Sequence, residues 1–186
     1  KIVGIETEFG IMVRGTLDWN PVSASSLLIN AYVGTDVGSL DDRATPIAWD
    51  FIDEMPGADA RDIMPDYAMP PEVETHLVNA VLTNGARYYV DHAHPEFSAP
   101  ECRDARQALL FDRAGEEILL RSMQAARSML PEGQEIVVYK NNSDGKGNSY
   151  GCHENYLMSR AVPFERIVKV LAPFFVTRLV FAGAGK

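Results

Sequence analysis

Asn84-Gly85-Ala86-Arg87-Tyr88-Tyr89-Val90-Asp91-His92-Ala93-His94-Pro95-Glu96-Phe97-Ser98-Ala99-Pro100-Glu101-Cys102 is the stretch around which this chain is organised. Asn84-Gly85 is a turn signal, and Arg87 to Val90 (Arg, Tyr, Tyr, Val) has strand character. Alternation on a strand puts Arg87, Tyr89 and Asp91 on one face and Tyr88, Val90 and His92 on the other. Pro95 and Pro100 stiffen the exit, which reads as a rigid loop carrying Glu96 and Glu101. A carboxylate at a strand end, followed closely by more carboxylates, suits a catalytic or cation site. A solvated acidic turn would carry the same residues.

Working outward, Ile2 to Val13 is β-rich, and Glu6 and Glu8 fall on one face two residues apart. Two carboxylates so close repel unless a positive charge lies between them or one keeps its proton. A divalent cation meets that need, and hard oxygen ligands point to Mg²⁺ or Mn²⁺. A half-exposed strand with a polar face is the alternative.

On the other side of the organising stretch, the strand Glu135–Tyr139 runs into Lys140-Asn141-Asn142-Ser143-Asp144-Gly145-Lys146-Gly147-Asn148-Ser149-Tyr150-Gly151-Cys152-His153. Gly145, Gly147 and Gly151, with Lys146 and Ser149, make a donor-rich loop suited to close backbone approach to phosphates. Neither a Walker A pattern nor a G-x-G-x-x-G fingerprint is present. His153 is placed to add a nitrogen ligand to a carboxylate-held cation, or to serve the fold alone.

Helices connect these strands. Ser23 to Tyr32 reads as a short helix opened by a serine cap, and Glu72 to Leu82 as one leading into the central strand. Asp104 to about Leu130 shows the clearest helical period, in Leu109, Leu110, Ala114, Ile118, Leu119 and Met123. Pro163 to Leu179 is apolar and helical. Residues 34–71 lack a period and mix Gly, Pro and acids with Trp49 and Phe51; such a length of irregular chain reads as a mobile, functional loop.

At 186 residues, 46% hydrophobic and 23% charged, the chain is an ordinary globular one with room for a sizeable core. A net charge of −9 with no basic cluster argues against nucleic acid. Two cysteines far apart make neither a disulfide framework nor a zinc site, which fits a reducing cytoplasm. No apolar run is long enough for a membrane span.

Three stretches together, Gly4 to Gly10, Asn84 to Glu96 and Lys140 to Tyr156, resemble the Pup ligase and depupylase family, relatives of glutamine synthetase among the carboxylate-amine ligases. The resemblance covers nearly the whole chain. It implies an α+β fold, a glutamine-synthetase-like antiparallel sheet with helices packed on one face, of which residues 1–186 are an N-terminal part. Asp91-His92-Ala93-His94-Pro95-Glu96, the acidic aromatic segment around Trp49 to Asp62, and Asp144-Gly145-Lys146-Gly147 resemble the depupylase branch, whereas Gly4 to Phe9 and Gly151-Cys152-His153 suit the ligase equally. The implied activity is hydrolysis of the C-terminal glutamine amide of Pup and of Pup–lysine isopeptide bonds, with ATP as a cofactor. A ligase forming that bond, or a fragment that only binds Pup, are the alternatives. The resemblance further implies Asp91 as the catalytic aspartate, as nucleophile or as base for water. It assigns Glu6, Tyr89 and Glu96 to one Mg²⁺ and Glu8 and His153 to a second. Lys140, Asn142, Ser149 and Arg87 are implied as nucleotide contacts. Pup and pupylated proteins are the implied partners.

Overall fold

The computed structural model describes residues 2–37, 78–141, 143, 145, 147 and 149–182. The elements are β1 (Val3–Glu8), β2 (Gly10–Arg14), α1 (Pro21–Val37), β3 (Asn79–Val81), β4 (Arg87–Asp91), β5 (His94–Ser98), α2 (Ala105–Ala126), β6 (Glu135–Tyr139), β7 (Cys152–Tyr156) and α3 (Phe164–Ala182). Five strands form one sheet in the order β3-β4-β5-β1-β7, and β2 pairs with β6 in a second. Every pairing is antiparallel. β1 therefore lies inside the sheet, between two strands that come much later in the chain.

Helices α1 and α2 contact each other and the sheet strands. Their side of the sheet is the buried one: Tyr88, Val90 and Phe97 are at most 4% exposed. On α1 the inward residues Ala24, Leu28 and Ala31, with Ser25 and Ile29, recur at helical spacing. The resulting fold is the expected α+β one, an antiparallel sheet carrying helices on one face.

Several local expectations are revised. The cap of α1 is not Ser23 but Asn20, whose side-chain oxygen accepts the Ser23 N–H at 3.0 Å, with Pro21 pre-set for the first helical position. α1 also continues beyond Tyr32 to Val37. The helix expected over Glu72 to Leu82 is replaced, where the chain is described, by β3, because Val81 pairs with Arg87 across the Asn84-Gly85 turn. Asn84 holds that turn by accepting the Ala86 N–H at 3.0 Å, and Gly85 takes φ 84°. The exit after Asp91 is not a loop but a second hairpin strand, β5. Most of the segment 34–71 lies outside the described residues.

α2 is capped by Asp104, which accepts the Gln107 N–H at 2.9 Å. Its buried stripe is Ala108, Gly115, Ile118, Leu119, Ser122 and Ala126, while Leu109 and Leu110 are exposed. Small residues lie inward because the helix sits close on the sheet. A Cβ at Gly115 would stand 2.7 Å from Phe97 Cδ1, nearer than packing allows. α3 buries no residue and contains Pro173. It is tied to β7 by Arg178, whose Nη1 donates to Glu154 at 2.8 and 3.0 Å.

Candidate active site: an acidic face across three strands

The face of the sheet turned away from α1 and α2 gathers the acids. Register does this. Glu6 lies between Ser98 of β5 and His153 of β7, and Ser98 in turn faces Arg87 of β4. One step along, Glu8 faces Glu96, which faces Tyr89. Beyond that, Asp91 faces His94 at the hairpin end. Side chains two apart on one strand share a face, so Glu-x-Glu, Arg-x-Tyr-x-Asp and His-x-Glu-x-Ser converge once the strands align.

Glu96 is the centre of the cluster and only 3% exposed. The Tyr89 phenol donates to its Oε1 at 2.7 Å, and Tyr89 Oη also lies 3.2 Å from Ser98 Oγ. Burial pushes the Glu96 carboxyl up to about 7; the Tyr89 hydrogen bond works the other way, and the charges of Asp91, Glu6 and Glu8 reinforce the rise. Burial likewise raises the Tyr89 phenol, with Glu96 and Glu6 adding to it against the Ser98 hydrogen bond, so Tyr89 is a neutral donor here.

Around Glu96 two groups of ligand atoms come together. One joins Glu6, Glu96 and His153; the other joins Glu8, Asp91 and Glu96; within each, one atom per residue lies within 4.8 Å of the others. His153 Nδ1 is 3.0 Å from Glu6 Oε2. Glu8 Oε2 accepts the Gly151 N–H at 2.6 Å, and a Cβ at Gly151 would stand 2.9 Å from Glu8 Oε1, so a side chain there would crowd this carboxylate. The donor set, carboxylates with one imidazole and a phenol, fits hard divalent cations with Glu96 shared between two positions.

All of Glu6, Glu8, Tyr89, Asp91, Glu96 and His153 thus meet on one face. Their grouping differs from the expected division in one respect, since His153 stands with Glu6 and Glu8 stands with Asp91. Arg87 borders the cluster with its guanidinium 4.5 Å above the Tyr89 ring. Lys140 goes elsewhere: its Nζ donates to Asp112 at 2.7 and 2.8 Å and to Glu116 at 2.8 Å, both on α2. Ser149 bridges to Ser143 within the glycine-rich turn, and Asn142 lies outside the described residues.

Two contacts escaped the reading of the sequence. His92, expected beside Tyr88 and Val90, is the first residue of the β4–β5 turn at φ 53°, and its Nδ1 lies 3.0 Å from Asp91 Oδ2. Alternation cannot reach past the strand's last residue. His94 packs edge-on against Tyr150, ring centroids 4.8 Å apart, fastening the glycine-rich turn beside Gly151 to the hairpin.

Comparison with known proteins gives a consistent result. The family described as Pup-ligase protein matches residues 1–186. A depupylase of Acidothermus cellulolyticus is 49% identical over 191 aligned positions, covering 100% of this chain and 37% of that protein. A Pup deamidase/depupylase of Mycobacterium tuberculosis is 44% identical with the same coverage. A Pup–protein ligase of Nocardioides is 49% identical over 112 positions, 58% of this chain and 25% of that one. Among solved structures, the complex between the prokaryotic ubiquitin-like protein Pup and its ligase PafA aligns with TM-score 0.65 and 27% identity, covering 95% of this chain and 29% of that one. The chain spans little more than a third of the length of the depupylases it matches. With the family match running from residue 1 to residue 186, the chain belongs to the Pup-ligase protein family.

Proposed function

We propose that this chain forms the N-terminal part of the catalytic unit of a depupylase. It would hydrolyse the C-terminal glutamine amide of Pup and the Pup–lysine isopeptide bond, with Mg²⁺ and ATP as cofactors and Pup and pupylated proteins as partners. The observation that carries this reading is Asp91, at the strand end and against the Glu8–Glu96 group, in a chain matched over its whole length by depupylases but over 58% by the ligase.

Amide hydrolysis needs a nucleophile aimed at the carbonyl carbon, stabilisation of the oxyanion, and a proton for the leaving amine. Asp91 is a reachable carboxylate at the strand end, partly open to solvent where Glu96 is closed. Either its oxygen bonds to the carbonyl carbon, the C–N bond breaks as the leaving nitrogen takes a proton from water, and a second water hydrolyses the Asp91 anhydride so formed; or it takes a proton from an attacking water and passes it to the leaving nitrogen as the C–N bond breaks, with ammonia or the lysine amine as the product. Glu6, Glu8, Tyr89, Glu96 and His153 would hold Mg²⁺, which supplies Lewis-acid stabilisation of developing negative charge and binds nucleotide phosphates. Arg87 and Ser149 remain the nucleotide contacts of this reading. Lys140, held by two acids of α2, serves to anchor the start of the glycine-rich loop.

Asp91→Asn tests the proposal, because the amide is nearly isosteric yet cannot act as an anionic nucleophile or base. With ATP, Mg²⁺ and glutamine-ended Pup, the natural protein should release ammonia and shift Pup by about one mass unit, while the variant binds nucleotide without turnover. The ligase reading, kept open by the Nocardioides relative, predicts ATP consumption on glutamate-ended Pup and no ammonia. Undiminished deamidation in the variant refutes the assignment of Asp91.

A further inference from the structure

The β4–β5 hairpin turns through two residues, His92 and Ala93, between the paired Asp91 and His94. The first has φ 53°, in the left-handed region that glycine adopts without penalty and a side chain with a Cβ adopts at a cost. Glycine is the usual solution in so tight a turn. The turn is nevertheless firmly held. Ser25, a fully buried residue of α1, donates its hydroxyl to the Ala93 carbonyl at 3.0 Å, and the Phe9 N–H donates to the Pro95 carbonyl at 3.0 Å. A sparsely populated conformation persists where the surroundings over-determine it, and such positions cluster at functional sites.

The His92 side chain is 86% exposed, so packing does not explain its presence, and its Nδ1 lies 3.0 Å from Asp91 Oδ2. An ionised carboxylate only accepts hydrogen bonds, so Nδ1 carries the hydrogen and donates. We propose that His92 is a positioning residue: its Nδ1–H fixes the Asp91 carboxylate in one rotamer, with the other oxygen left to act on substrate. This rests on the reading of Asp91 as the reacting carboxylate. A strand-terminal aspartate that is about a third exposed is free to change χ1 unless a partner holds it, and loose aim is costly in catalysis. His92 touches no reacting atom itself, so its contribution lies in orientation. The strained turn and the hydrogen bond are then two sides of one arrangement, since the φ that disfavours histidine is what turns its ring back onto Asp91.

The test uses the full-length protein with ATP, Mg²⁺ and glutamine-ended Pup, comparing His92→Gly with His92→Asn. Glycine relieves the turn and removes the donor. Asparagine tolerates the left-handed region and puts an amide N–H where Nδ1 stood. We expect His92→Gly to keep or raise Tm while kcat falls about 10- to 100-fold, as a misaimed group does. KM should stay within about twofold, the pattern of an interaction used only in the transition state. His92→Asn should recover most of the loss. The Asp91 χ1, read from three-bond couplings by NMR, should be single in the natural protein, averaged in the glycine variant and single again with asparagine. Full kcat in His92→Gly, or no recovery in His92→Asn, overturns the proposal. If no protein in the series deamidates Pup but the χ1 pattern holds, the positioning stands and the assignment of the activity fails.

Discussion

Metal-free protein should lose stability as pH rises through neutrality, and Glu96→Gln should abolish that loss. Glu96 titrates at about 7 in the fold against an ordinary 4.5, raised chiefly by burial. Between those values the folded chain holds a proton that the unfolded chain has released. The sign follows: where the native state binds more protons, the stability it gives is complete below 4.5 and is lost as pH rises through 7. At about 1.4 kcal/mol per pH unit, the limit is a loss of about 3 kcal/mol, a large share of a typical domain's stability. The side chain is closed to solvent, so screening does not erase it. Glutamine keeps an acceptor for the Tyr89 phenol but has no charge to desolvate, so its stability curve should be flat over that interval. The assay is urea unfolding in EDTA at pH 5 and pH 8. Repeated with Mg²⁺ at 100 times its Kd, the natural protein should regain about 2.7 kcal/mol at pH 8, and the variant much less. Parallel pH curves for the two proteins would refute the assignment of a raised, buried carboxyl at the centre of the cluster.

Gly115→Ala should destabilise by about 1–3 kcal/mol through the clash with Phe97, offset in part by the roughly 1 kcal/mol helix preference of alanine; thermal unfolding measures the net, and Phe97→Leu in the same chain should recover it. Gly151→Ala should weaken Mg²⁺ binding with little change in Tm, because the added methyl pushes on Glu8 rather than on the core; calorimetry at pH 8 reads it. Lys140→Met should raise the pH of acid unfolding. Partial burial works upward on Glu116, but hydrogen bonds from Lys140 and Arg113 hold its carboxyl below the ordinary value, so the stability it gives is present above 4.5 and disappears as pH falls through the folded value.

The site was legible in the sequence to the extent that it is written in alternation. Glu6 with Glu8, and Arg87 with Tyr89 and Asp91, share faces by the two-residue period alone, and the structure keeps both groups. What alternation cannot supply is register between strands far apart in the chain. The pairing of His153 with Glu6, at a separation of 147 residues, depends on β7 choosing one alignment out of many. β5 was hidden by its own composition, since His-Pro-Glu-Phe-Ser, with Pro95 inside it and Pro100 just beyond, reads as loop. Pro95 is tolerated there because its carbonyl, not an N–H, makes the bond to Phe9. On α2 the expected Ile118 and Leu119 are buried, but Leu109 and Leu110 are exposed, for a different reason. Periodicity finds the apolar residues, but where this helix lies closest on the sheet, small Ala108 and Gly115 take the inward positions beside Ile118 and Leu119.

β1 reaches the ribosome exit well before β5 and β7, the two strands that will flank it. Until then both of its edges are open, and Val3-Gly-Ile-Glu-Thr-Glu8 is extended, apolar on one side, and able to pair with any neighbouring chain. Glu6 and Glu8 make such pairing costly, since a like strand laid in register would set carboxylate against carboxylate. The charges that gather on one face of the finished sheet thus act earlier as gatekeepers, keeping β1 single until its proper neighbours are synthesised.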